Sequence, residues 1–386
     1  MARQAQPRDD LQLLQSGVEY FPALRALIDT AERSVWLETY IFADDDTGRA
    51  IAQSLAAAAR RGIDVRVVVD GFGTRPLSDA IAAPLRAAGV QLRIYSPVPR
   101  LFTLDRSRLR RLHRKLACID GRWAFVGGIN ILDDLQDPNH GPLTHPRLDY
   151  AVRMQGTQVD AVAQAMSRLW EQWASPHAIE RAVREPRGQA ASGKVSGAQL
   201  VLRDNLAHRR SIERAYLRAI GQARREVLIA TAYFFPGRRF RRALREAAAR
   251  GVRVRLLLQG RTEYVLPHRA AQALYDSLLG HGIEIVEYHR SFLHAKVAIV
   301  DDWATVGSSN IDPFSLLLAR EANLVIRDGH FAATLRTRLL AAMQEGSHPI
   351  AVDEHRRRGW WQRAWGWIAY GLLRLGVLVS GERQRY

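Results

Sequence analysis

Two segments of the chain carry the same polar side chains at nearly the same intervals: LHRKLACIDGRWAFVGGINI from Leu112 to Ile131 and LHAKVAIVDDWATVGSSNID from Leu293 to Asp312. Each has a histidine and a lysine two positions apart, then an aspartate, a turn of small residues and an asparagine. The first set is His113, Lys115, Asp120, Gly127, Gly128 and Asn130; the second is His294, Lys296, Asp301, Gly307, Ser308 and Asn310. The sequence around each His-x-Lys is strand-like, and residues two apart on a strand project to one face. An imidazole and an ammonium therefore point the same way. The aspartate is an odd number of positions from both and falls on the other face, which suits structural support better than chemistry. Small residues at Gly128 and Ser308 let the backbone approach a phosphate closely and bring the asparagine amide round.

Two histidines, two lysines and two asparagines meeting at one pocket compose a phosphate site with an acid–base pair. One imidazole attacks phosphorus and the other protonates the leaving alkoxide. The lysines and asparagines hold the non-bridging oxygens, where charge must be stabilised. Lysine usage singles out the same positions. Of 56 basic residues only three are lysines, Lys115, Lys194 and Lys296, and two of them sit in the His-x-Lys pairs. A compact ammonium fits tightly against a small anion where a planar guanidinium fork does not. No cofactor and no metal are expected: there is no Cys/His zinc spacing, and a lysine beside each histidine opposes a bound cation.

The elements that must position these residues are also repeated. Strand-like runs at Val35–Phe42 and Val227–Phe235 are each followed by an Ala- and Arg-rich helical stretch ending at Gly62 or Gly251. A second strand follows at Val65–Val69 or Val254–Leu258, then a helix ending at Gly89 or Gly282, then a strand ending at Tyr95 or Tyr288, and last the motif. Alternation of this kind predicts an α/β layered fold with a substantially parallel sheet, built twice about a pseudo-two-fold axis. The Gly-, Ser- and Ala-rich stretch from Glu185 to Gln199 reads as a linker. The expected division is a lobe over 1–184, the linker over 185–199, a second lobe over 200–350 and a tail over 351–386.

A chain that is 47% apolar can bury a sizeable core, which argues against global disorder. The net charge of +17 predicts an anionic partner: nucleic acid, an anionic membrane or a phosphorylated substrate. A single cysteine, Cys118, excludes an intramolecular disulfide, and nothing asks for an oxidising compartment. The first residues lack the apolar core of a signal peptide, and no apolar run is long enough for a confident membrane span.

The paired motifs resemble those of the phospholipase D superfamily, in which two such motifs build one active site. Further segments, LETYIF from Leu37, DYAVR from Asp149, RDN from Arg203, AYFFPG from Ala232 and EANLVI from Glu321, are similar to its bacterial cardiolipin synthase branch, most of all to the short type without transmembrane helices. The resemblance implies two pseudo-two-fold related α-β-α lobes, each with a mixed, largely parallel sheet. It implies two-step transfer through a phosphohistidine, with His113 as nucleophile and His294 as general acid and then base; the symmetry leaves the opposite assignment open. It counts Asp120 and Asp301 with the catalytic set. An acid downstream of each motif commonly steadies that motif's histidine, and Asp149 and Glu321 match that role. There is one departure: His113 to Asn130 spans 17 positions but His294 to Asn310 spans 16, because the second copy is one residue short between Asp301 and Gly307. A deletion inside a turn is harmless; one that displaces Asn310 or Ser308 weakens half the phosphate cradle.

Two segments favour lipid over nucleic acid as the phosphodiester. The stretch from Ser96 to Leu112 mixes leucines and Phe102 with arginines, including Arg108, Arg110 and Arg111, which suits acyl chains beside anionic headgroups. The tail carries four of the nine tryptophans, Trp360, Trp361, Trp365 and Trp367, flanked by arginines, an interfacial anchor pattern. These segments and the net charge fit a peripheral enzyme on the cytoplasmic side of an anionic membrane, and the resemblance implies that it is a phosphatidyltransferase joining one phosphatidylglycerol to the glycerol hydroxyl of another. A phosphodiesterase or nuclease of the same superfamily is the rival reading, and a degenerate membrane-binding scaffold is the reading from another class. The sequence is silent on oligomeric state.

Overall fold

The computed structural model describes residues 10–97, 110–172, 197–203, 208, 210–312, 319–351, 353 and 359–379. The N-terminal lobe runs β1 (Asp10–Gln15), α1 (Ser16–Asp29), β2 (Ser34–Thr39), α2 (Asp46–Arg60), β3 (Asp64–Asp70), α3 (Asp79–Ala87), β4 (Gln91–Tyr95), β5 (Arg111–Leu112), β6 (Lys115–Ile119), β7 (Trp123–Gly127), β8 (Gln136–Asp137), β9 (Gly141–Pro142), β10 (Tyr150–Gln155) and α4 (Val159–Glu171). The C-terminal lobe repeats the plan with β11 (Gly197–Arg203), α5 (Ser211–Gln222), β12 (Glu226–Thr231), α6 (Arg238–Ala249), β13 (Arg253–Gln259), α7 (Val265–Gln272), α8 (Tyr275–Leu279), β14 (Glu284–Tyr288), β15 (Lys296–Val300), β16 (Trp303–Gly307), β17 (Ala319–Arg327) and α9 (Gly329–Gln344), followed by β18 (Ser347–Pro349) and α10 (Trp360–Val379).

Strand order is β1-β10-β7-β6-β2-β3-β4 in one sheet and β11-β17-β16-β15-β12-β13-β14-β18 in the other, so the first seven positions correspond one to one. Both sheets are mixed. Within each lobe, among the described strands, parallel pairing is confined to β2-β3-β4 and β12-β13-β14, where helices make the crossovers; between the lobes, β5 also pairs parallel with β17. The expectation of a largely parallel sheet fits only that half. The motif strands β6-β7 and β15-β16 are hairpins and pair antiparallel.

Local signals account for the helices. The Asp45 side chain caps α2 by accepting from the Gly48 N–H at 2.7 Å. Ile51, Ala52, Leu55 and Ala58 then form one buried stripe, and Gly62 ends the run at φ +87°. The two lobes also share a core. Leu116, Val126, Val152 and Val162 of the first lobe join Val297, Val306, Leu324 and Leu335 of the second in one apolar cluster. Burial of each such side chain contributes roughly 1.5–3 kcal/mol, so the lobes hold each other in place.

One detail corrects the sequence reading, and a second decides an alternative that it left open. Gly197–Gln199, assigned to the linker, already belong to edge strand β11. The missing residue of the second motif is absorbed in a hairpin turn: Asp120–Arg122 joins β6 to β7, whereas only Asp301 and Asp302 join β15 to β16. Beyond the turn the two copies run in step, with matching bridges from Phe42 to Ile131 and from Phe234 to Ile311.

Candidate active site

The motifs meet where the lobes join, and backbone pairing sets the meeting. Strand β5 runs parallel to the start of β17, and the His113 N–H donates to Arg320 O at 3.0 Å. Its counterpart is a parallel bridge between Leu148 and Leu293, with the His294 N–H donating to Leu148 O at 2.8 Å. The ends of β3 and β13 clamp the preceding residues: Asp70 accepts the Leu112 N–H at 2.7 Å and Gln259 accepts the Leu293 N–H at 3.2 Å.

Each histidine backbone is thus tied to the residue just before an acid of the opposite lobe. His113 Nδ1 lies 3.1 Å from Glu321 Oε2, and His294 Nδ1 lies 2.6 Å from Asp149 Oδ2. Each acid therefore steadies the histidine of the other motif, not of its own as the resemblance implied. The crossing follows from the inter-lobe pairing, which brings each motif beside the other lobe's acid-bearing strand. With Nδ1 engaged, Nε2 is the nitrogen left to react. The two rings are near enough for charge on His113 to depress the ionisation of His294, after burial, the two lysines and Arg147.

Lys115 and Lys296 are buried, and each Nζ donates to the carbonyl of its own motif histidine, Lys115 at 2.7 Å. Burial lowers Lys115 to about 7, with Lys296 adding repulsion; burial lowers Lys296 to about 8. Two desolvated ammonium groups close enough to repel each other suit an anion between them. Asn130 and Asn310 are buried at equivalent positions, and Asn130 Oδ1 accepts from the Ile41 N–H at 3.2 Å.

The small residues at the motif turns also serve the two acids. A Cβ on Gly128 would meet the Asp149 carboxylate at 2.3 Å, so the glycine makes room for that acid. Ser308, at the equivalent position, donates its hydroxyl to Glu321 Oε2. The two acids differ accordingly. Burial raises Asp149 to about 7, against partial relief from Lys296 and the Tyr150 N–H. Burial also raises Glu321, but His113, Lys115 and the buried Arg203 outweigh it and hold the carboxyl below its ordinary value.

Asp120 and Asp301 lie beyond the far ends of β6 and β15, outside the site. Asp120 accepts the backbone N–H groups of Glu32, Arg33 and Ser34, and Asp301 those of Arg224, Arg225 and Glu226, at 2.8–3.0 Å. They fasten the motif hairpin to the turn entering β2 or β12.

Several residues were not legible as site components. Tyr40 sets its ring edge-on to His113 at 4.8 Å and lies 5.3 Å from Lys115 Nζ; the equivalent position is Ala232. Arg114 and Glu38 form a buried ion pair that ties the His113 segment to β2, and the guanidinium also donates to Ala165 O at 2.9 Å. A cavity of about 290 Å³ opens onto the site between Tyr40, Asn130, Asp149, Glu263, Tyr264 and His294.

Arg108 lies outside the described residues. Arg110 is half-buried, and the half-buried Arg111 covers the Phe72 ring at 4.9 Å on the cavity wall. Helix α10 packs on α7 through Ala369, Tyr370 and Leu373, against Phe235 and Ala270. Its Trp360, Trp361, Trp365 and Trp367 are all more than half exposed. Phe72, Tyr264, Val265 and Leu266, at or beside the cavity, are exposed as well. Among the described residues no helix is long and apolar enough to cross a membrane, and no three His, Cys, Asp or Glu side chains are grouped to hold a metal ion.

The family described as "Cardiolipin synthase, PLD-like domain" matches residues 24–140 and 216–342 of this chain. The chain is 42% identical over 374 residues to cardiolipin synthase B of Escherichia coli (strain K12), covering 94% of this chain and 87% of that protein. It is 29% identical over 353 residues to a probable cardiolipin synthase, YwiE, of Bacillus subtilis (strain 168), covering 91% of this chain and 69% of that one. Its fold is similar to a phosphatidylserine synthase from Haemophilus influenzae Rd KW20, with a TM-score of 0.70 at 12% identity over 96% of this chain and 94% of that one. A polyphosphate kinase from Porphyromonas gingivalis superposes with a TM-score of 0.56 at 16% identity, over 95% of this chain and 53% of the kinase.

Proposed function

This chain belongs to the cardiolipin synthase family of phospholipase D-like phosphatidyltransferases, and from that footing we propose the path by which its residues transfer a phosphatidyl group from one phosphatidylglycerol to another. The observation that carries the proposal is the crossed pair of imidazole–carboxylate contacts, His113 with Glu321 and His294 with Asp149, closing on two buried lysines.

The unequal acids divide the labour. Glu321, held ionised, fixes Nδ1–H of a neutral His113 and turns the Nε2 lone pair outward as nucleophile. Asp149 titrates near neutrality, so the His294–Asp149 pair carries an exchangeable proton and suits acid and then base. In the first step His113 Nε2 attacks phosphorus, the bond to the departing glycerol oxygen breaks, and His294 Nε2 protonates that oxygen. In the second step the glycerol hydroxyl of another phosphatidylglycerol gives its proton to His294, its oxygen attacks phosphorus, and the N–P bond to His113 breaks. Lys115 and Lys296 neutralise the non-bridging oxygens in both steps, and Asn130 and Asn310 complete the cradle.

The reading extends to peripheral attachment of the enzyme to an anionic membrane on its cytoplasmic side. The exposed tryptophans of α10, the exposed Phe72, Tyr264, Val265 and Leu266 and the net charge of +17 support the attachment. The free, buried Cys118 is consistent with a reducing compartment. Incubation of the purified protein with phosphatidylglycerol vesicles, with products read by mass, tests the function. Cardiolipin and glycerol are expected; phosphatidic acid alone would mean that water, not an alcohol, is the acceptor.

A further inference from the structure

The cavity is one-sided. Of the reacting groups, its wall includes His294 and Asp149 but neither His113 nor Glu321. An acceptor alcohol that must give its proton to His294 has its approach through this space. The wall also carries Glu263, four residues past the end of β13. Glu263 is near enough to Lys296 for each charge to shift the other's ionisation. A carboxylate repels an incoming phosphodiester, so it is poor chemistry for holding the donor phosphate and good chemistry for accepting a hydroxyl.

Its hydrogen bonds leave it free to do so. Glu263 Oε2 accepts the Tyr233 hydroxyl at 2.6 Å, which fixes the side chain. Among the described residues no hydrogen bond reaches Oε1. The neighbouring Asp137 is spent: Oδ1 accepts from the backbone of Asn139 and His140, and Oδ2 from Arg147. The N-terminal lobe has no counterpart. Thr74 holds the equivalent position and turns its hydroxyl to backbone, donating to Tyr40 O at 2.9 Å and accepting from the Phe42 N–H at 3.0 Å. A carboxylate at this position is therefore peculiar to the C-terminal lobe, which also supplies His294 to the cavity wall.

We propose that Glu263 is a specificity-determining residue that selects a vicinal diol as acceptor. Its free oxygen accepts one hydroxyl of a glycerol headgroup and so holds the adjacent hydroxyl toward His294 Nε2. That hydroxyl loses its proton to His294, forms the new O–P bond and releases His113; Glu263 is unchanged by the step. The proposal rests on the phosphatidyl-transfer reading above.

The test offers the full chain phosphatidylglycerol vesicles with propylene glycol and propanol as competing soluble acceptors, and measures each phosphatidyl product by mass. Wild-type protein should favour the diol by about tenfold or more, because a site built to pair a hydroxyl rejects the analogue that lacks it. Glu263→Leu should erase the preference, and Glu263→Gln, which keeps an acceptor oxygen, should retain part of it. An indifferent wild type, or a preference that survives in Glu263→Leu, overturns the assignment. So does a Glu263→Gln protein that loses donor cleavage along with every transfer product, since the residue would then serve the donor step or the fold. A wild type that gives phosphatidic acid and no transfer product to any alcohol overturns the transferase reading itself, and this inference with it.

Discussion

Gly128→Ala isolates the contact between a carboxylate and the base it steadies. The added Cβ would stand 2.3 Å from Asp149 Oδ1, 2.6 Å from Oδ2 and 2.8 Å from Cγ. The carboxyl group must retreat by about 1 Å to restore ordinary contact at 3.4 Å, and misplacing a catalytic constellation by about that distance costs on the order of 100-fold in rate. Overpacking of this kind costs about 1–3 kcal/mol, which a fold with about 5–15 kcal/mol of stability survives. A side chain at this position is compatible with the backbone path, since Ser308 occupies its equivalent. Initial rates of glycerol release from phosphatidylglycerol vesicles should therefore show a fall in kcat of about 100-fold with KM little changed. Thermal melting should show a folded protein. Asp149→Ala should fall comparably, and the double variant should be no slower than Asp149→Ala alone, because both changes break one interaction. A Gly128→Ala enzyme with near wild-type kcat would refute the reasoning, because the His294–Asp149 geometry would then not matter to the rate.

Lys115→Arg keeps the charge but not the point-like fit, and should lower kcat/KM by about 100-fold or more; near-normal kinetics would remove the argument from lysine. Sulfate binding should weaken as pH rises from about 7 past about 8, since the free site loses the Lys115 proton and then the Lys296 proton over that range. The bound site needs both charges, so binding should take up protons, read by calorimetry in buffers of different ionisation enthalpy; pH-independent binding would mean the lysines stay charged without an anion. Replacing Trp360, Trp361, Trp365 and Trp367 together with serine should weaken sedimentation with anionic vesicles by about 10-fold or more while sparing turnover of a soluble phosphodiester. Equal loss of both would make the α10 face structural.

The repeat and its paired histidines and lysines were legible because chemistry restricts residue type. Two of the three lysines in an arginine-rich chain, each two positions from a histidine, mark the candidate site. The strand–helix alternation was legible for the same local reasons that form it, including the glycines that end α2 and α6 at positive φ. What the sequence hid is long-range. Which acid meets which histidine depends on β5 pairing with β17 across the lobes, a contact between residues about half a chain apart with no local signature. Gly128 and Ser308 looked alike as small residues; only the space each leaves beside Asp149 or Glu321 separates them. Glu263 belongs to no motif and gains meaning only from the cavity wall it shares with His294.

The most direct measurement of the central claim is the site of covalent attachment. A soluble phosphodiester with a nitrophenolate leaving group needs no general acid to depart, whereas the second step still needs His294 to activate the incoming oxygen. His294→Ala protein mixed with that substrate should release one equivalent of nitrophenolate in a burst, and mass spectrometry of the quenched protein should find the phosphoryl group on His113. No burst and no adduct on His113, or an adduct on His294 when wild-type protein is quenched during turnover, would contradict the account.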